Sequence, residues 1–177
     1  LRSSSAASDV YKRQIQDYPL FLDYVSKKES YKVIIAPHDC SEKSIKLLTK
    51  NLKTSYVSWS KYSHKNDNSK KILILDKVGI LKYAYRYAEF VYVGGGMGKS
   101  GLHNILEAAV YDMPVIIGKN YSRFPEAIDL IKKGGCFSVS TKIDFEEIVE
   151  KICKNLDFGR LINYKYIENK KGATNKI

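Results

Sequence analysis

Residues 90–118, FVYVGGGMGKSGLHNILEAAVYDMPVIIG, constrain the fold more than any other stretch. Phe90 to Val93 is a short apolar run of β-branched and aromatic residues, as a buried parallel strand needs. The following turn, residues 94–101, carries five of the eleven glycines, so its backbone is able to approach a ligand closely. Leu102, Ile105, Leu106 and Ala109 then recur at helical spacing and define one apolar face. At about 100° per residue, His103, Asn104 and Glu107 fall away from that face. Val115 to Ile117 returns as a second buried strand. Polar groups beside a helix start, where unpaired N–H groups and the dipole favour an anion, point to a nucleotide or sugar-phosphate site.

Two familiar fingerprints fail on this turn. Gly96-x-Gly98-x-x-Gly101 has dinucleotide spacing, but that motif needs an acidic residue ending the next strand, and here Gly118-Lys119-Asn120 follows. Gly98-Lys99-Ser100 imitates the tail of a phosphate-binding P-loop, yet Val93 stands where its first glycine belongs.

At 177 residues and 44% hydrophobic content, the chain can bury one substantial core. No apolar run reaches the roughly 20 residues of a membrane span. Cys40, Cys136 and Cys153 are isolated, which indicates neither a disulfide framework nor a zinc site, and a reducing, cytoplasmic setting is the simplest reading. A net charge of +11 favours an anionic partner, but the lysines are dispersed and no RNA-binding motif accompanies them, so no nucleic acid is expected.

Strand and helix alternate along the chain. Residues 1–14 are polar, begin with Leu1 and resemble a translated adaptor, so they are expected to be an artefactual leader outside the fold. Helices are expected over 15–28, from a Ser41 cap to about Asn51, over 78–88, from Pro125 to Gly134-Gly135, after an Asp144 cap, and over 156–171. Strands are expected at 32–36, 54–57, 72–75, 90–93, 115–117 and 136–139. The architecture is therefore a doubly wound parallel α/β sheet of Rossmann type, with residues 15–155 as a nucleotide-sugar-binding domain. Residues 156–177 form a C-terminal helix and tail, whose Leu156, Leu161, Ile162, Tyr166 and Ile167 have no evident partner. Three strand exits converge where such sheets bind ligands: Pro37-His38, Asp76 to Gly79, and the glycine turn.

Ile34 to His38, Asp76 to Leu81, Tyr92 to Ala109 and Pro114 to Ala127, in this order, resemble the C-terminal half of 3-deoxy-D-manno-octulosonic acid (Kdo) transferases. GGGMGKSGLHNILEAA is the most specific block, and the match extends to Lys171-Gly172-Ala173-Thr174. Members of that family are GT-B glycosyltransferases that move Kdo from CMP-Kdo to a lipid A precursor. The resemblance implies a donor pocket with Pro37 and His38, where many members carry arginine instead of His38. Val78 and Gly79 would approach the cytosine through their backbones. Gly95, Gly96 and Gly98, with Lys99 and Asn104, would surround the phosphate, and Glu107 would hold the ribose hydroxyls. It also implies a catalytic base in an N-terminal domain, against which residues 156–177 would pack, and work at the anionic inner-membrane surface. No metal or cofactor is implied.

Blander roles stand beside these. Glu107 can pair with His103 at i+4, Lys99 can be a solvated loop lysine, and Asp76 can cap the next helix. The alternatives to Kdo transfer are another GT-B nucleotide-sugar transferase or epimerase, or a non-catalytic nucleotide-binding module.

Overall fold

The computed structural model describes residues 5–10, 17–28, 31–50, 52–98, 101–155, 157 and 159–170. Seven strands are assigned there: β1 (Ser5–Val10), β2 (Lys32–Pro37), β3 (Tyr56–Ser58), β4 (Ile72–Ile74), β5 (Val91–Val93), β6 (Val115–Gly118) and β7 (Cys136–Val139). All pair in parallel, in the order β3-β4-β2-β1-β5-β6-β7. The helices are α1 (Tyr18–Lys27), α2 (Glu42–Lys50), α3 (His64–Asp67), α4 (Leu81–Ala84), α5 (Ile105–Ala109), α6 (Pro125–Lys133), α7 (Lys142–Lys154) and α8 (Arg160–Lys170). This is the expected doubly wound α/β sheet.

The sheet separates two main apolar cores. One joins Phe21 and Tyr24 of α1 and Phe145, Val149 and Ile152 of α7 to Val33, Ile35, Ile72 and Tyr92. The other joins Tyr85, Ile105, Ala108, Ala109, Leu130 and Tyr166 to Val91, Val93, Val115 and Ile117. Alternate residues of β5 and β6 thus face opposite cores, which is why both strands read as continuous apolar runs.

Several expectations change. Ser5–Val10, inside the stretch expected to stand outside the fold, forms the middle strand and pairs with both β2 and β5. Those neighbours present facing rows of main-chain donors and acceptors, and a buried row must be paired whatever the side chains of the strand between them. The helix expected over 78–88 contracts to α4 and a 3₁₀ turn at Tyr85–Tyr87. Gly79, at φ +87°, holds the preceding backbone in a left-handed turn and delays the helix. α7 begins before Asp144: Thr141 is the cap, and Asp144 answers as the reciprocal member of a capping box. Pro125 and Gly134 bracket α6 as expected, with Gly134 at φ +84°.

Three of the C-terminal residues expected to lack a partner pack within the domain. Tyr166 is buried, Ile167 lies against the same core, and Ile162 approaches Gly134 and Gly135. Leu161 is exposed, and Leu156 and residues 171–177 lie outside the described residues.

Candidate donor-binding cleft

The loops leaving β2 and β4 and the first turn of α5 enclose a cleft of about 260 Å³ at the carboxyl ends of the strands. Its lining includes five of the sequence-selected residues: Pro37, His38, Val78, Gly79 and Glu107. Val78 is 88% exposed, and a Cβ on Gly79 would meet nothing within 4 Å, so the Val78-Gly79 backbone stands open to the cleft. Lys77 and Lys82 add positive charge, and Cys40 adds a thiol that bonds to the Pro37 and Leu75 carbonyls at 3.6 and 3.7 Å. Burial pushes the Cys40 thiol pKa up, reinforced by Asp76 and Asp39, so it remains protonated at neutral pH. Lys77 lies within the strand exit expected from the sequence, whereas Lys82 gave no sign because a lone lysine on a helix carries no spacing signal.

The glycine turn lies beside this cleft and is held from two sides. The Asn120 N–H donates to the Gly96 carbonyl at 2.8 Å, and its side-chain amide donates to the Met97 and Gly98 carbonyls at 3.3 and 3.0 Å. A Cβ on Gly96 would sit 2.7 Å from the Gly118 nitrogen, and one on Gly118 would sit 2.2 Å from the Gly96 carbonyl carbon. Gly96 therefore serves main-chain contact with the end of β6. Gly95 adopts φ +94°, and its N–H donates to the buried Asp17 carboxylate at 3.0 Å. These two glycines shape the turn. Lys99 lies outside the described residues.

Asn104 caps α5, its side-chain oxygen accepting from the Leu106 N–H at 3.1 Å. α5 starts three residues later than Leu102, so His103 precedes the helix that carries Glu107. His103 is half-buried instead, and its N–H donates to the Gly94 carbonyl at 3.3 Å. Burial lowers its pKa below the ordinary histidine value, the nearby His38 lowers it further, and Asp17 opposes both. Asp76 does not cap α4, whose N-cap Ile80 offers no side-chain bond. It accepts from the Ser60 N–H at 2.9 Å and from the Ser60 hydroxyl. Burial, the largest influence, raises the Asp76 pKa, but the Ser60 donors and Lys77 together leave it lowered.

Among the described residues no group of three or more His, Cys, Asp or Glu is placed to hold a metal ion, and no helix is long and apolar enough to cross a membrane.

No protein-family model matches the chain. It is 28% identical over 161 residues to a bifunctional glycosyltransferase/methyltransferase of Fusobacterium nucleatum subsp. nucleatum, covering 89% of this chain and 25% of that protein. It is 30% identical over 135 residues to 3-deoxy-D-manno-octulosonic acid transferase of Haemophilus influenzae, covering 73% and 31%. The chain therefore spans about a quarter to a third of these curated relatives. Among solved structures, the C-terminal CMP-Kdo binding domain of WaaA from Acinetobacter baumannii matches with a TM-score of 0.76 at 18% identity, over 93% of this chain and 89% of that one. The C-terminal domain of the group 1 glycosyl transferase LpcC from Francisella tularensis matches at 0.61 and 12% identity, over 94% and 85%. The fold is that of the C-terminal half of a GT-B glycosyltransferase, and the sequence resemblance to the C-terminal domain of Kdo transferases holds.

Proposed function

We propose that this chain is the donor-binding half of a glycosyltransferase that moves Kdo from CMP-Kdo to a lipid A precursor. The observation that carries the reading is the single cleft that gathers Pro37, His38, Val78, Gly79 and Glu107 from three separate segments. These are positions that the family resemblance puts in the donor pocket, with Val78, Gly79 and Glu107 at the cytidine. Exposed backbone at Val78-Gly79 suits the edge of a base, and a carboxylate at Glu107 suits a ribose diol. The phosphate belongs beside Gly98 to Asn104, near His103 and the lysines of the cleft, with Lys99 as a further contact. In this reading the catalytic base comes from an N-terminal domain that also covers residues 156–177. The complete enzyme works in the cytoplasm, at the anionic face of the inner membrane.

Calorimetry with CMP, UMP, UDP and a short RNA tests the donor. The expected result is a preference for CMP and no Kdo transfer by the 177-residue chain alone. A preference for UDP would move the reading to another GT-B donor, and a preference for RNA would remove it from glycosyl transfer.

A further inference from the structure

Asp17 is fully buried at the start of α1, and both of its carboxylate oxygens are engaged. Oδ1 accepts from the Tyr92 hydroxyl at 2.7 Å, and Oδ2 accepts from the Gly95 N–H at 3.0 Å. A buried carboxylate is costly unless such donors meet it, so this arrangement fixes both partners. Burial, then the charge of Asp17, push the Tyr92 phenol pKa up and keep it a donor.

The position matters more than the bonds alone. β1 and β5 are neighbours, but the chain leaves β1 toward β2 and leaves β5 toward β6, so the sheet reverses direction between them. Ligands of doubly wound sheets bind at such a reversal. Asp17 precedes α1 in the first connection, and Gly95 lies in the second. One side chain therefore ties the two connections together across the crevice. The tie continues through the backbone, because the residue before Gly95 accepts from the His103 N–H at 3.3 Å.

We propose that Asp17 is a positioning residue for the phosphate-facing loop, setting the place of Gly95 and, through Gly94, of His103 without touching the ligand. This rests on the nucleotide-binding reading above. The test compares Asp17→Asn and Tyr92→Phe with the wild type, by calorimetry with CMP and by NMR titration of the His103 ring. An asparagine can accept only one of the two hydrogen bonds and carries no charge. Asp17→Asn is expected to weaken CMP binding about ten-fold or more and to lower the His103 pKa further. Tyr92→Phe keeps the charge, so it should weaken CMP binding by a smaller factor. Folded Asp17→Asn with wild-type CMP affinity and an unmoved His103 titration would overturn the proposal. Should that variant not fold, unchanged CMP affinity in Tyr92→Phe would overturn it equally. A wild type that does not bind CMP would defeat the donor reading itself, while the His103 titration in Asp17→Asn would still decide the positioning role.

Discussion

Gly96 and Gly118 meet main chain to main chain, leaving no room for a β-carbon on either: a methyl on Gly118 would lie 2.2 Å from the Gly96 carbonyl carbon. The turn after β5 thus rests directly on the end of β6, and backbone cannot step aside as a flexible side chain would. Gly118→Ala and Gly96→Ala are each expected to destabilise the fold by about 1–3 kcal/mol or more. Urea midpoints at constant slope would measure it, and a midpoint unchanged in Gly118→Ala would refute the close approach.

Glu107 shares its cleft with Pro37 and Val78. If it holds the ribose diol, Glu107→Ala should weaken CMP binding about 10- to 150-fold, as for one charge-assisted hydrogen bond. The loss should nearly vanish with dideoxy-CMP, whereas Asn104→Ala should weaken both ligands through the damaged cap. Equal losses for the two ligands in Glu107→Ala would make this glutamate a structural residue.

His103 supplies a pH dependence with a definite sign. Burial, then His38, lower its folded pKa below 6.5, so below pH 6.5 the unfolded chain binds more protons at this site than the native one. Its contribution to stability is fully present above about pH 6.5, declines as pH falls through the window down to the folded pKa, and levels off below it. Melting curves at several pH values should show this slope in the wild type and a shallower one in His103→Gln. A parallel pair of curves would contradict the assigned environment.

Asn163 reaches from α8 into the space that a side chain on Gly135 would occupy: a Cβ there would lie 2.0 Å from its Oδ1. Its amide donates to the Met113 and Gly135 carbonyls at 2.6 and 2.9 Å. Asn163→Ala removes both of these buried hydrogen bonds, although the Gly135 carbonyl keeps the Val115 N–H at 3.2 Å, and should cost about 1–3 kcal/mol. Gly135→Ala should be costly alone, yet less so on the Asn163→Ala background, where the clash is gone. Strict additivity in the double-mutant cycle would show that the two sites do not touch.

The sheet was readable because β4, β5, β6 and β7 are compact apolar runs, and α6 carries its proline and glycine at the two ends. The strand exits followed from that alternation, and five of the selected residues share one cleft. Helix starts were harder. Leu102 repeats at helical spacing with Ile105, yet it is buried ahead of the helix because the chain needs residues 101–104 to leave the glycine turn. Asp17 and Asn120 could not be found by motif. Each works through a fold contact to a distant glycine, and a lone polar residue near a helix or strand end reads the same whether it points into the fold or into water. The contact of Gly96 with Gly118 was hidden for a related reason: a glycine needed for contact with another backbone looks the same in sequence as one needed for contact with a ligand.

The strand with the least intrinsic preference for extended structure occupies the middle of the sheet. Ser5–Val10 is mostly serine, alanine and aspartate, residues poor at forming strands, yet among the described strands it alone links β3-β4-β2 to β5-β6-β7. The sheet therefore has a seam at its centre. Amide exchange should report two blocks, each protected by its own neighbours, with the junction between them opening at lower free energy than either. A different strand laid into that seam would need only a main chain of the right length to close it.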